Sequence, residues 1–211
     1  DKVKIHFENG EYLLAVNDFT EAISHDPHAN YYDWRGGSYY ELGYETTSDE
    51  SKQRKYYYRA IDDHTEAIQL DRENGVSYHS RGMAYYRLEE YQEAIDDYSK
   101  DIELKTNNTQ SYAWRGYSYW KVESYQRALE DAETILRLGT PDYRAYNIKG
   151  LVYSSTKEHN MAVQAYSEAI QLKLEVAVLY NSRAISYNYL GQTEKQKADE
   201  KSACYYDVKY C

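Results

Sequence analysis

Apolar and polar positions follow one another along this chain with the spacing of α-helices, and one arrangement returns at a fixed interval. A small residue marks each return, with a tyrosine four residues before it and another three residues after it, and from the second marker onward the interval is 34 residues. Residues three and four apart share one face of a helix, so each set predicts an α-helix with an aromatic stripe. The markers are Gly36, Gly82, Gly116, Gly150 and Ala184.

A second apolar stripe of helical period follows most of the first ones. It begins twelve residues after the marker, at Ala94, Ala128 and Ala162. Turn-tolerant residues such as Glu89 and Glu123 lie between the two stripes. Each unit is therefore predicted to be two antiparallel helices joined by a short turn, with the small marker letting a neighbouring helix approach closely. The ten tyrosines of the first stripes are expected to pack in the interior with their hydroxyls at the surface.

A fixed period of this length indicates a stacked array of repeats. The combination of bulky, small, aromatic and alanine positions resembles the tetratricopeptide repeat family, whose unit is a helix–turn–helix of 34 residues. The resemblance covers almost the whole chain and implies an all-α, right-handed α-solenoid of about five and a half units in a single domain, 1–211. The expected units are 1–28 (partial, with its second helix near Tyr12 to Ser24), 29–74, 75–108, 109–142, 143–176 and 177–211.

One unit is longer than the others. The interval from Gly36 to Gly82 is 46 residues, and the additional stretch is 45–56. Thr47-Ser-Asp-Glu50 has the spacing of a capping box, which predicts a second helix that starts near Ser48 and runs about three turns longer than its counterparts. Within the insertion, Lys52, Arg54 and Lys55 form a basic cluster, either a docking element for an acidic partner or a solvated elongation without a function.

A basic residue stands immediately before each marker. Fifteen residues after the marker, once the insertion is removed, most units carry an aspartate, and the unit with Lys149 carries Ala165 there instead. Because base and acid change together, we predict an ion pair within each hairpin, with phosphate binding by the basic column as the alternative. The predicted pairs are Arg35–Asp63, Arg81–Asp97, Arg115–Asp131 and Arg183–Asp199.

The family resemblance also implies a binding surface, because in that family the first helix of each unit lines a concave groove that takes an extended peptide or a helix. Aromatic residues, Met and Arg are enriched at binding hot spots. The alternative is that these rings pack against neighbouring helices. By spacing, the groove positions are Trp34, Tyr40, His79, Met83, Tyr86, Arg87, Trp114, Tyr117, Trp120 and Lys121. Later units have milder residues at these positions: Asn147, Leu151, Ser154, Asn181, Ile185 and Asn188.

Composition narrows the range of partners. The net charge of −10 argues against binding to nucleic acid or anionic lipid. No apolar run approaches the ~20 residues of a transmembrane helix, and no secretory signal is visible, so we expect a cytoplasmic protein without membrane insertion. Cys204 and Cys211 lack the spacing of a zinc site, and free thiols are favoured over a terminal disulfide.

The sequence offers little for catalysis. It contains no phosphate-binding glycine loop, no nucleophile elbow and no helical histidine pair, so we expect no enzyme activity and no cofactor. His25 and His28 could supply two metal ligands, but they lie at a unit boundary where polar turn residues are common, and no metal site is predicted. The expected function is a non-catalytic adaptor that binds a protein or peptide segment in an aromatic groove. The alternative is a structural subunit that self-associates through the ends of the array and the 45–56 insertion.

Overall fold

The computed structural model describes residues 4–105, 108–139 and 141–211. In these ranges the chain forms α-helices and no β-strand, as the sequence predicts. A short 3-10 turn at Val208–Tyr210 follows the last helix. The helices are α1 (Ile5–Glu8), α2 (Tyr12–His25), α3 (Ala29–Glu45), α4 (Glu50–Leu70), α5 (Gly75–Arg87), α6 (Tyr91–Leu104), α7 (Thr109–Lys121), α8 (Tyr125–Arg137), α9 (Tyr143–Ser155), α10 (His159–Leu172), α11 (Ala177–Tyr189) and α12 (Thr193–Tyr206).

Consecutive helices pair in an antiparallel manner. In the α3–α4 hairpin, the backbone of Gly36 lies against Asp63 and His64, and the backbone of Gly43 lies against Tyr57. Residue numbers thus rise along α3 where they fall along α4, which is the arrangement of a helical hairpin. The alanines of the second stripe are fully buried, because they face the first helix of their own hairpin.

The chain divides into two compact units, residues 1–111 and 112–211, and each has its own core. In the first unit, Phe19 and Tyr98 are among the largest fully buried side chains. In the second unit, the largest fully buried side chains include Ile135, Ile148 and Tyr166. The single continuous domain expected from the repeat stays a prediction.

The small markers admit a ring from the second helix of their own hairpin. A Cβ added to Gly82 would lie 3.0 Å from the Tyr98 ring, and one added to Gly150 would lie 2.5 Å from the Tyr166 ring. In the α7–α8 hairpin the residue at this position is Ala132, too short to fill the space, and the Ile148 side chain from α9 approaches Gly116 instead. Close approach at the markers is therefore an approach of side chain to backbone.

The turn within a hairpin contains a residue in the left-handed backbone region. This residue stands seven positions after the marker, at Glu89 (φ 64°), Glu123 (φ 59°), Lys157 (φ 66°) and Gly191 (φ 69°). Only the last of these is a glycine, the residue that adopts this conformation without steric cost. The first three turns therefore hold a strained residue.

The insertion lengthens both helices of its hairpin, which corrects the prediction of one longer second helix. The α4 helix begins at Glu50, and Asp49 caps it by accepting a hydrogen bond of 2.9 Å from the Lys52 N–H. The α3 helix has 17 residues and α4 has 21, against 13 or 14 in the hairpins that follow. The start near Ser48 was wrong by two residues because Asp49, and not Thr47, supplies the cap.

The terminal cysteines form a disulfide, which corrects the expectation of free thiols. Cys204 lies in the last turn of α12, and the 3-10 turn brings Cys211 back to a Cα–Cα distance of 4.6 Å from it. The same turn packs Tyr210 against the core of the second unit. The sequence spacing alone could not show this reversal of the chain.

Candidate functional site

The predicted ion pairs are confirmed, and each is a two-point clasp. Arg35 donates from Nε to one oxygen of Asp63 (2.8 Å) and from a terminal nitrogen to the other (2.7 Å). The aspartate side chains of these pairs are only 4–7 % exposed. Because the guanidinium group already binds a carboxylate through two hydrogen bonds, it is not available to bind phosphate, which was the alternative prediction. The same two bonds join Arg81 to Asp97, Arg115 to Asp131 and Arg183 to Asp199.

The clasps of Arg35, Arg81 and Arg183 also reach the preceding unit. The remaining nitrogen of Arg81 donates to the Thr65 hydroxyl at 3.0 Å, and that of Arg183 donates to Ser167 at 2.8 Å. The residue sixteen positions before the arginine thus supplies a hydroxyl from the second helix of the previous unit. One arginine therefore ties three helices together, which the sequence analysis did not foresee.

The tyrosines of the first stripe surround these arginines. The Arg115 guanidinium lies 5.4 Å from the Tyr112 ring and 5.7 Å from the Tyr119 ring, distances typical of cation–π contacts. Nine of the ten stripe tyrosines are half-buried, and only Tyr180 is buried. Seven of the ten pack against or within the hydrophobic core, as predicted: Tyr39, Tyr85, Tyr112, Tyr119, Tyr146, Tyr153 and Tyr180. The fully buried tyrosines, Tyr98 and Tyr166, lie on the second helices of their hairpins.

Burial shapes the electrostatics of the clasp. Desolvation raises the pKa of Asp131, and the hydrogen bonds from Arg115 offset only part of that rise. In the first hairpin, the hydrogen bonds to Asp63 raise the pKa of Arg35 above its ordinary value. The arginines therefore stay protonated, and the clasp is a structural element with a high desolvation cost.

A cavity of the first compact unit lies beside Trp34. Its ring packs edge-on against Phe7 at 5.0 Å between centroids, stacks on Phe19 at 6.4 Å, and carries the Lys4 ammonium 4.5 Å from its centroid. The cavity has a volume of about 420 Å³. Its lining residues are Lys4, Phe7, Asn30, Asp33, Trp34, Gly37, Asn74, Val76 and Ser80.

The next predicted groove residues form a cluster between α3 and α5. Arg87 donates from Nε to the Tyr40 hydroxyl at 3.0 Å and lies 5.0 Å from the Tyr44 ring. Tyr86 packs edge-on against Tyr91 at 5.4 Å, and burial raises the pKa of Tyr86 to about 12. Met83 is half-buried on the same helix. The arrangement offers an apolar surface with one exposed cation.

His79, the remaining predicted groove residue of the first unit, belongs to a buried polar network. Its Nδ1 lies 2.6 Å from the Ser111 hydroxyl, and Ser111 and Asn108 both donate to the Asp101 carboxylate. Burial alone would raise the pKa of Asp101, but the contacts with His79, Ser111 and Asn108 outweigh it and lower the pKa. His79 is thus half-buried and already hydrogen-bonded, so its predicted role in ligand contact is weakened.

A second network repeats this arrangement one hairpin earlier. The Asp33 carboxylate accepts hydrogen bonds from Asn74 (2.9 Å) and Ser77 (2.7 Å) and lies 3.0 Å from Nδ1 of the buried His64. Both networks link successive hairpins, and neither was predicted from the sequence. The spacing Asn-x-x-Ser, which recurs at Asn74/Ser77 and Asn108/Ser111, is the sequence feature that could have indicated them.

In the second compact unit, the predicted groove residues link α7 to α9. The Tyr117 hydroxyl accepts a hydrogen bond of 3.0 Å from Asn147, and Trp120 donates from Nε1 to Ser155 at 2.9 Å. Trp114 packs edge-on against Tyr117, and the Lys121 ammonium lies 5.2 Å from the Trp120 ring. These contacts give the packing alternative physical support for Tyr117 and Trp120, although both remain half-buried.

The basic cluster of the insertion is exposed on α4. The Lys52 ammonium lies 5.8 Å from the Tyr56 ring, and the Arg54 guanidinium lies 5.8 Å from the Tyr58 ring. The Tyr58 hydroxyl in turn donates to Glu90 at 2.8 Å. Lys55 is exposed beside them.

One of the two histidines considered as metal ligands, His28, has another role. The Nδ1 atom of His28 accepts the Asn30 N–H at 3.3 Å and so caps α3. Among the residues that the structure describes, no three His, Cys, Asp or Glu side chains are grouped to hold a metal ion. None of the helices in the described ranges is long and apolar enough to span a membrane.

These features define a class of protein: an all-α repeat protein in which four helical hairpins are clasped by arginine and aspartate. Residues 76–108 and 143–175 each match a family model of the tetratricopeptide repeat. The chain therefore contains tetratricopeptide repeats, units typical of non-catalytic scaffolds with protein partners. Comparison with curated proteins gave no match.

Solved structures show the same fold. A tetratricopeptide repeat protein from Parabacteroides merdae is 20 % identical with a TM-score of 0.74, and the match covers 95 % of this chain and 75 % of that one. MamA is 24 % identical with a TM-score of 0.62, covering 77 % of this chain and 95 % of MamA. YrrB, described as a tetratricopeptide repeat protein with an unusual peptide-binding site, is 20 % identical with a TM-score of 0.56, covering 90 % of this chain and 92 % of YrrB.

Proposed function

We propose that this protein is a non-catalytic adaptor that binds an extended peptide segment, with the cavity beside Trp34 as the anchoring pocket. The proposal rests on one observation, the pairing of an apolar floor with a polar wall. Phe7 and Trp34 form the floor, and Asn30 and Ser80 supply amide and hydroxyl groups at the wall. Pockets of roughly 300–1,000 Å³ with this composition are typical ligand sites.

The chemistry of the pocket favours an aromatic or large aliphatic side chain. Such a side chain would bury apolar area against the two rings, while the wall groups would hydrogen-bond the peptide backbone. Lys4 already lies over one face of Trp34, so the ligand would approach the part of the ring that remains exposed. Further along the same face, Tyr40, Tyr44 and Arg87 offer a second contact area with a cation.

The likeness to YrrB supports a peptide ligand in a limited way. Its description names a peptide-binding site, but at 20 % identity the likeness extends only to the fold. The anchoring pocket is argued from the residues of this chain.

The test is selection from a random peptide display library by the full chain, followed by affinity measurement on the selected peptides. Trp34→Ala removes the floor of the pocket. Gly37→Leu fills the pocket, because Gly37 is in its lining and a Cβ there would touch the Phe7 ring at 3.6 Å without a clash. Both variants should weaken peptide binding by about tenfold or more, equivalent to ~1.4 kcal/mol.

Tyr205→Ala is the matched control, since this ring is 82 % exposed and lies in the other compact unit. It should leave the affinity unchanged. If the selected peptides bind wild type and both pocket variants equally, the anchoring pocket is not the binding site and the proposal fails.

A structural subunit remains the second candidate, favoured by exposed apolar residues near the end of the array. Tyr189, Tyr205 and Val208 are 68, 82 and 80 % exposed. Self-assembly through this surface predicts a mass that rises with concentration and falls in Tyr205→Ala/Val208→Ser. Sedimentation at several concentrations separates it from peptide binding, which requires no change in mass.

A further inference from the structure

One hairpin lacks the clasp that its counterparts share. In the α9–α10 hairpin the arginine is replaced by Lys149 and the aspartate by Ala165. None of the ion pairs formed by the described residues includes Lys149. Lys149 thus stands where four other units hold an arginine, and Ala165 stands where they hold the buried aspartate.

A cavity of about 220 Å³ has Lys149 and Ala165 in its lining. Tyr146 and Tyr153 line it on either side of the lysine, at the positions where Tyr112 and Tyr119 flank Arg115. The cavity therefore keeps the aromatic walls of the clasp and has lost its acid.

The opposite side of the cavity carries an acid of its own. Glu168 lies in the lining and, within the described part of the chain, forms no ion pair. Gln164 adds an amide group, and the thioether of Met161 adds an apolar contact. Near Tyr153, burial together with the charges of Glu158 and Glu133 raises the tyrosine pKa, so the surroundings of the lysine are acidic.

An anion alone fits these charges poorly, because the acids around Lys149 would repel it. A ligand with both charges fits them well: its carboxylate replaces the missing aspartate, and its amine neutralises Glu168. We infer that this cavity binds a small zwitterionic ligand of the amino-acid type, with its carboxylate on Lys149 and its ammonium on Glu168.

A second cavity of about 360 Å³ adjoins the first and shares Tyr146 and Glu168 with it. Its other lining includes Leu136, Pro141 and Leu172. An apolar substituent on the ligand would be accommodated there, so hydrophobic amino acids should bind more tightly than glycine.

The chain offers a well-placed reporter for this site. It contains two methionines, Met161 in the lining of the cavity and Met83 in the other compact unit. In protein labelled with ¹³C at the methionine methyl groups, titration with ω-amino acids from glycine to 6-aminohexanoate, and with leucine, should shift the Met161 signal in a saturable manner. The Met83 signal should not move.

Three variants test the assignment. Lys149→Met and Glu168→Gln should each weaken binding by about tenfold or more. Lys149→Arg/Ala165→Asp rebuilds a fifth clasp, gives the base a carboxylate partner from its own hairpin and should abolish binding while preserving the fold. Because this last variant is expected to be at least as stable as wild type, it gives a result even if Lys149→Met folds poorly.

Succinate and sodium sulfate, at equal ionic strength, are the control ligands, because both are anions without an ammonium group. Both should shift the Met161 signal less than the zwitterions do. If Met161 does not respond, if sulfate produces the same shifts, or if the rebuilt clasp still binds, the inference is wrong. Saturable binding of succinate in preference to every zwitterion would also overturn it, because it would remove the role of Glu168.

Discussion

Arg115 and Asp131 meet through two parallel hydrogen bonds of 3.0 and 2.7 Å, one to each carboxylate oxygen. The aspartate side chain is 4 % exposed, so an unpaired charge at this position would have a high desolvation cost. Two-point geometry makes this match specific as well as strong. The pair therefore orients α7 against α8, and its two members depend on each other.

Removing one member of the pair should cost far more than removing both. Asp131→Ala leaves a half-buried guanidinium without its carboxylate and is expected to lower the free energy of unfolding by about 3–5 kcal/mol. Arg115→Met/Asp131→Leu replaces both charges by apolar groups and should cost much less. The α9–α10 hairpin already shows such a paired change, Lys149 with Ala165. Urea denaturation followed by circular dichroism measures both effects.

Arg72→Ala is the control for that experiment, because Arg72 is exposed in a turn, and its effect should stay within about 0.5 kcal/mol. Equal losses in the single and double variants would contradict the mutual dependence of the pair.

Two adjacent glycines on α3 should respond in opposite ways to alanine. A Cβ at Gly36 would lie 2.9 Å from the His64 ring, whereas one at Gly37 meets nothing closer than 3.6 Å. Gly36→Ala is expected to lose about 1–3 kcal/mol through overpacking. Gly37→Ala should be neutral or gain about 0.5–1 kcal/mol, since alanine is the better helix former. Thermal unfolding of the two variants tests this, and an equal loss in both would show that α3 tolerates no substitution on either face.

The strained turns offer a stabilising substitution. Glu123 has a φ of 59°, in the left-handed region that costs a residue with a Cβ roughly 1–2 kcal/mol. Glu123→Gly relieves this strain and, after the entropic cost of glycine, should raise the free energy of unfolding by about 0.5–1 kcal/mol. Glu130→Gly, an exposed position within α8, should instead lose about 1 kcal/mol. If both glycines destabilise the protein, the turn conformation is not under strain.

The features that repeat along the chain were predictable from the sequence, and the features confined to one place were not. The clasp was predictable because acid and base change together at Lys149 and Ala165, which no single helix pattern requires. The division of the insertion between α3 and α4 was not, because the cap depends on whether Thr47 or Asp49 reaches the first free N–H. The disulfide was missed because the reversal after α12 is a property of the 3-10 turn and of Tyr210 packing, not of cysteine spacing.

The candidate site, too, was only partly predictable from the sequence. Spacing placed Trp34 and Tyr40 on the first-helix face, and the structure adds the cavity beside Trp34, which also needs Phe7 from α1. A periodic pattern says nothing of a residue outside its period. For the same reason the hydrogen bond of His79 to Ser111 could not be predicted, because it joins two units and helical spacing describes only positions within one helix.

The buried network around Asp101 should make stability depend on pH. The fold lowers the pKa of this carboxylate, so the unfolded state binds its proton more readily. The contribution of Asp101 is therefore fully present above its unfolded pKa, near 3.9, and is lost as pH falls through the lower folded value. The loss in free energy of unfolding caused by Asp101→Asn should accordingly be large at pH 7 and shrink steadily below pH 4.

Ser111→Ala is the matched variant, because it removes one hydrogen bond to the carboxylate and keeps the charge. It should raise the pKa of Asp101 toward its ordinary value and reduce the pH dependence without abolishing it. Denaturant unfolding between pH 3 and pH 7, together with a ¹³C titration of the aspartate carboxyl groups, follows both effects. If Asp101→Asn costs the same at pH 3.5 as at pH 7, the carboxylate charge contributes nothing and the network acts through packing alone.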